Sequence, residues 1–179
     1  MSLEILKNNN LLFKKTETFD FNNPPFNIEN FSVELCQLMW KEIALGLSAN
    51  QVGNNYRIFS MIGEPESFVC VNPKILHTFE ETVKLEETCL SLPGLVFDVT
   101  RPKSLRFRFQ GPNSEFFTRT YTGMTARIVQ QMVDQLDGIP LWDNLSRLKF
   151  DMAIKKAQKL GFDYSGLKFK PKSSTIISN

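Results

Sequence analysis

Gln130-Gln131-Met132-Val133-Asp134-Gln135-Leu136-Asp137-Gly138 is the stretch that decides how this chain is read. Met124, Ile128, Met132 and Leu136 recur at helical spacing between Gly123 and Gly138, so the stretch is expected on an amphipathic helix. Gln131 and Gln135 are four apart and share one face of it. The arrangement resembles H-E-x-x-H, in which histidines at i and i+4 bind a metal ion and the glutamate moves a proton. Here Gln131 and Gln135 hold the histidine positions and Met132 holds the glutamate position.

Two segments precede it: Gly46-Leu47-Ser48-Ala49-Asn50-Gln51-Val52-Gly53 and Glu87-Thr88-Cys89-Leu90-Ser91-Leu92-Pro93-Gly94. In this order the three resemble the G-L-A-A-x-Q-V-G, E-G-C-L-S-x-P and Q-H-E-x-D-H-L-D-G segments of the peptide deformylase family. Those proteins are metal hydrolases that remove N-formyl from new polypeptides. The resemblance runs from about Phe31 to Asn144, with Thr88 in place of a glycine. The wording is also similar to deformylases carried by marine bacterial viruses.

The resemblance implies one Cys and two His as metal ligands, a Glu as base, and a Gln side chain plus a backbone N–H as oxyanion donors. Cys89 matches the thiolate ligand, and Gln131 and Gln135 stand at the two histidine positions. Gln51 matches the side-chain donor, Leu90 the residue with the backbone N–H, and Met132 the base. A neutral amide oxygen is a weak ligand for iron or zinc, and a thioether cannot take up the proton. The expectation is therefore no cofactor, where the family would use Fe, Ni or Zn, and no active catalytic group.

Each retained residue also has a purely structural role open to it. Gly46, Gly53 and Gly94 serve turns that need backbone freedom. Gln51 braces the second segment, and Arg101 pairs with Asp134. Gln131 and Gln135 bond each other or the backbone, Met132 fills space, and Cys89 is an inert thiol. His77, the only histidine, falls in an expected strand and reads as structural; Cys36 and Cys70 read as small buried apolar residues.

With 42% hydrophobic and 22% charged residues among 179, the chain is globular and spans no membrane. No cationic stretch followed by an apolar run opens it, so a secretory signal is not expected. Three widely spaced cysteines argue against a disulfide framework and for a reducing compartment. A cytoplasmic location, or assembly into a virion, is the corresponding expectation. From Asn144 onward eight basic residues face two acidic ones, which leaves the remainder net negative. No aromatic-interleaved basic patch accompanies them, so a nucleic-acid partner is disfavoured.

The fold class expected is α+β, and the resemblance implies small antiparallel sheets around a central helix, with a C-terminal helix. Residues 1–29 read as an irregular arm broken by Pro24-Pro25, 30–142 as the deformylase-like domain, 143–161 as a basic helix and 162–179 as a tail, loose at Pro171–Thr175. A first helix from Asn30 is expected to stop at Gly46. Strands are expected at Arg57–Ile62, Phe68–Val71, Lys74–Phe79 and Thr82–Leu85, and a hairpin from Ser104 to Tyr121.

The replaced ligands favour a structural or protein-interaction subunit without hydrolase activity, in contact with a ribosome or a larger viral assembly. The alternative is a peptide deformylase, removing N-formyl from nascent peptides by metal-dependent hydrolysis. A third reading has the cleft bind formyl-Met peptide without cleaving it, because Gln51 and the Leu90 N–H are retained.

Overall fold

The computed structural model describes residues 3–63 and 67–169. Helix α1, Ile28–Lys41, is opened by Asn27, whose side-chain oxygen accepts from the Asn30 N–H at 2.8 Å. Its buried Leu35, Leu38 and Met39 recur at helical spacing and face the sheet. The helix ends well before Gly46. Ile43, at φ 52, reverses the chain, and Gly46 opens strand β1, Gly46–Ser48, rather than stopping the helix.

Strands β2 (Ile58–Met61), β3 (Phe68–Thr78), β6 (Ser104–Gln110) and β7 (Phe116–Thr122) join β1 in a five-stranded sheet of order β1-β2-β3-β6-β7. Every neighbouring pair in it is antiparallel. The two strands expected at Phe68–Val71 and Lys74–Phe79 are one. The register shifts between Val71 and Lys74, and Asn72, at φ 50, bonds Phe19 and Gln110 through its side chain. A second sheet pairs β4 (Thr82–Thr88) with β5 (Val96–Pro102), a strand not foreseen from the sequence.

Helix α2, Gly123–Leu136, is central. Its Ile128, Val129, Met132 and Leu136 pack with Phe59, Met61, Leu105 and Phe107. Leu35 and Met39 of α1 instead join Leu47, Ile58, Val69 and Val71, whose side chains alternate with those facing α2. Each large apolar side chain so buried contributes about 1.5–3 kcal/mol. Helix α3, Arg147–Lys159, docks Phe150 and Ala157 beside Phe97 and Trp142.

The chain before α1 binds across the three motif segments. Leu6 N–H donates to the Gln51 carbonyl, Asn8 N–H to that of Ser91 and Thr16 Oγ1 to that of Leu136, each at 2.8 Å. After α3, Tyr164 is buried and its hydroxyl donates to the Pro93 carbonyl at 2.6 Å. Pro171–Thr175, expected to be loose, lies outside the described residues. The architecture is α+β, and no helix among the described residues is long and apolar enough to cross a membrane.

Candidate functional site

The three segments converge on one sulfur. Strand β1 runs into a 3-10 turn, Ala49–Val52, closed by a capping box in which Ser48 and Gln51 bond each other. Gln51 Oε1 accepts from the Ser48 N–H at 3.0 Å. That bond fixes the amide, and its Nε2 lies 3.6 Å from Cys89 Sγ and 3.4 Å from Ser91 Oγ. From α2, Gln135 Nε2 donates to Cys89 Sγ at 3.2 Å, and Gln135 Oε1 lies 2.8 Å from Ser48 Oγ. The Ser48 hydroxyl also lies near Asn50 Oδ1 and Gln51 Oε1; with a single hydrogen it donates to one of the three at a time.

Gln131 turns elsewhere. Its Nε2 donates to the Thr88 carbonyl at 2.7 Å, a backbone partner rather than the other glutamine. One turn apart on α2, they are claimed by successive residues of the second segment. Met132 is buried beneath β1. A Cβ on Gly46 would come within 2.9 Å of Ile128 Cγ2 and 3.2 Å of the Met132 side chain. Close approach of β1 to α2, not a turn conformation, is therefore what requires glycine at position 46.

Burial pushes the Cys89 thiol above its ordinary range, against the hydrogen bonds from Ser91, Leu92 and Gln135 that favour the thiolate. The neutral thiol thus dominates at neutral pH. Gln51, Cys89, Leu90, Gln131, Met132 and Gln135 all line one cleft of about 280 Å³.

Behind the cleft lies a charged brace. Arg101 on β5 bonds Glu87 through Nε at 2.6 Å and Nη2 at 2.9 Å, and Asp134 through Nη1 at 2.6 Å. The Arg101–Asp134 pair was expected. Glu87 and Arg127 were not, yet Arg127 also bonds Glu87, and all three buried residues tie β4, β5 and α2 together. Arg127 sits inside the apolar stripe of α2, a charge out of pattern that signals a buried partner. His77 takes no part in the cleft; it lies on β3, edge-on to Phe79 at 4.9 Å. Cys70 is buried and Cys36 only half-buried.

The family's metal does not fit this donor set. Cys89 offers one sulfur, but positions 131 and 135 offer carboxamides in place of imidazoles, with nitrogens that already donate to Thr88 and Cys89. Among the described residues no group of three His, Cys, Asp or Glu could hold an ion.

Residues 3–151 match the family model described as polypeptide deformylase. The chain belongs to the peptide deformylase family. It is 33% identical over 177 residues to the peptide deformylase of Wolbachia pipientis (strain wPip), a match covering 92% of this chain and 97% of that protein. Among solved structures, a peptide deformylase from Synechococcus elongatus in complex with actinonin superposes with a TM-score of 0.81 at 26% identity, covering 93% of this chain and 90% of that one. A probable peptide deformylase from synechococcus phage S-SSM7 gives 0.71 at 33% identity, covering 79% of this chain and 99% of that one.

These likenesses overturn the expectation of a structural or interaction subunit without hydrolase activity. Near-full-length similarity to a protein named peptide deformylase, and similarity over more than three quarters of the chain to others of that name, supports the enzymatic alternative better. Replacement of three side chains does not by itself establish inactivity.

Proposed function

We propose that this chain acts on N-formylated peptide ends as a peptide deformylase, releasing formate and leaving a free amine. The observation that carries this reading is the match to the Wolbachia deformylase, which spans nearly the whole of that protein. In the reaction the formamide C–N bond breaks, a water oxygen joins the formyl carbon, and a proton passes to the departing nitrogen.

The residues of this chain have definable parts in it. Gln51, fixed by Ser48, presents a side-chain N–H₂ to the cleft as a donor toward the formyl oxygen. Leu90, which stands at the position of the family's backbone donor, lines the same cleft. Leu45, Met124 and Ile128 offer apolar walls for a methionyl side chain. The Glu87–Arg101–Asp134 brace holds α2 against β4 and β5, so the donors stay where they are aimed. In the family the metal acidifies water; the donors here do not match its ligand set.

Formate release from formyl-Met-Ala-Ser, measured with and without added Fe(II), Ni(II) or Zn(II), tests the reading. Release that falls in Gln51→Ala is the expected result. No release above buffer under any of these conditions would overturn it.

A further inference from the structure

The exposed apolar side chains near the cleft form a line that leads away from it. Ile43, Ala44 and Leu45 wall the cleft and also a neighbouring depression that reaches Ile62 and Phe68. That depression shares Trp40, Phe68 and Tyr121 with a basin of about 650 Å³ between α1 and the β6–β7 hairpin. Ile43 is 90% exposed, and Trp40 and Val33 are 57% exposed each. Contiguous exposed apolar surface of this kind marks a binding surface rather than chance exposure.

Two details point to an occupant. Ile43 is a β-branched residue at φ 52, a conformation that is costly and that burial does not explain here. It stands where the cleft opens into the trough. At the far end Ser32 is 6% exposed, and its hydroxyl lacks a hydrogen-bond partner among the described residues. Ser32 lines the basin, where a backbone group of a bound chain would satisfy it.

We infer that this trough holds the downstream part of the peptide whose formylated end lies in the cleft, with an apolar or aromatic side chain seated between α1 and the β6–β7 hairpin. The inference rests on the formyl-peptide reading above. A trough running through three connected depressions suits an extended chain, which advances about 3.3 Å per residue, better than a compact molecule. The mostly apolar basin, walled by Phe68, Phe109 and Phe117, selects the side chain.

Calorimetric titration of the full chain tests this with formyl-Met-Ala-Ser and with longer peptides of equal length. One is extended by Gly and Ser alone; the others carry a single Leu or Phe at successive downstream positions. At least one apolar placement is expected to bind about 10-fold tighter than the Gly/Ser peptide. Trp40→Ala and Val33→Asp should each remove that gain and leave tripeptide affinity unchanged; Val33 is exposed, so its replacement spares the core. Equal affinities for polar and apolar extensions, with the tripeptide bound, would overturn the inference alone. So would a gain that survives Val33→Asp. Failure of the tripeptide to bind would remove the formyl-peptide reading and this inference together.

Discussion

Gln135 on α2 spans the cleft floor to Cys89, its amide nitrogen 3.2 Å from the sulfur and its oxygen 2.8 Å from Ser48 Oγ. One side chain thus fastens the third motif to the first two. Gln135→Leu removes both bonds inside a buried site and is expected to cost about 1–3 kcal/mol in urea denaturation. Gln131→Ala removes one bond from a partly exposed side chain and should cost about 1 kcal/mol or less. Equal losses would contradict the assignment.

Cys89 should react slowly with thiol reagents at neutral pH, because burial raises its pKa. The linkage has a definite sign. The folded protein holds this proton more tightly than the unfolded chain, so the stabilisation is complete below the unfolded thiol value of about 8.5 and is lost as pH rises through the folded one. Alkylation rates and denaturation midpoints of Cys36→Ser/Cys70→Ser protein, followed from pH 7 to 10, check both.

Glu87 is buried between two guanidinium groups. Glu87→Gln leaves Arg127 without its carboxylate and Arg101 with Asp134 alone. A loss of about 3–5 kcal/mol is expected, the usual consequence of breaking a buried pair from one side. Denaturant titration measures it, and a loss under about 1 kcal/mol would show that the brace is ornamental.

Gly46→Ala should destabilise by about 1–3 kcal/mol, because the new methyl meets Ile128 and Met132. Met132→Ala makes room at the same place, so the double variant should lose less than the sum of the single variants. Strict additivity in a double-mutant cycle would place the clash elsewhere.

The ligand positions themselves can be exchanged. Gln131→His, Met132→Glu and Gln135→His together recreate the family's donor set around Cys89. Elemental analysis after nickel loading is expected to show close to one equivalent in this variant and well below one in the unaltered chain. Formate release should rise by roughly 100-fold or more. Stoichiometric nickel in the unaltered chain would show that the carboxamides serve as ligands after all.

Much of this site was legible because its residues fall in three short segments, each similar to a motif of the family. The α2 stripe announces itself by spacing, and the three motif segments and the Arg101–Asp134 pair through the resemblance. Other features were hidden by tertiary effects. In β5, Phe97 and Val99 alternate with Asp98 and Thr100, but the inward place after them is taken by Arg101, which breaks the apolar pattern until Glu87 and Asp134 are known to meet it. Strands expected separately at Phe68–Val71 and Lys74–Phe79 are one, because the chain absorbs the irregularity between them as a bulge at Asn72 and Pro73. β1 is only three residues long, too short for a pattern. The choice of Thr88 by Gln131, and of Cys89 and Ser48 by Gln135, depends on how β4 and β1 lie against α2. Three local replacements also weighed too heavily in the expectation of a non-enzymatic subunit; similarity along the whole chain carries more.

The central claim, that the cleft is made for an N-formylated peptide end, is tested most directly by calorimetric titration with formyl-Met-Ala-Ser and its unformylated counterpart at equal pH and ionic strength. The account predicts at least about 10-fold tighter binding of the formylated peptide, lost in Gln51→Ala. Equal affinity for the two peptides would contradict it.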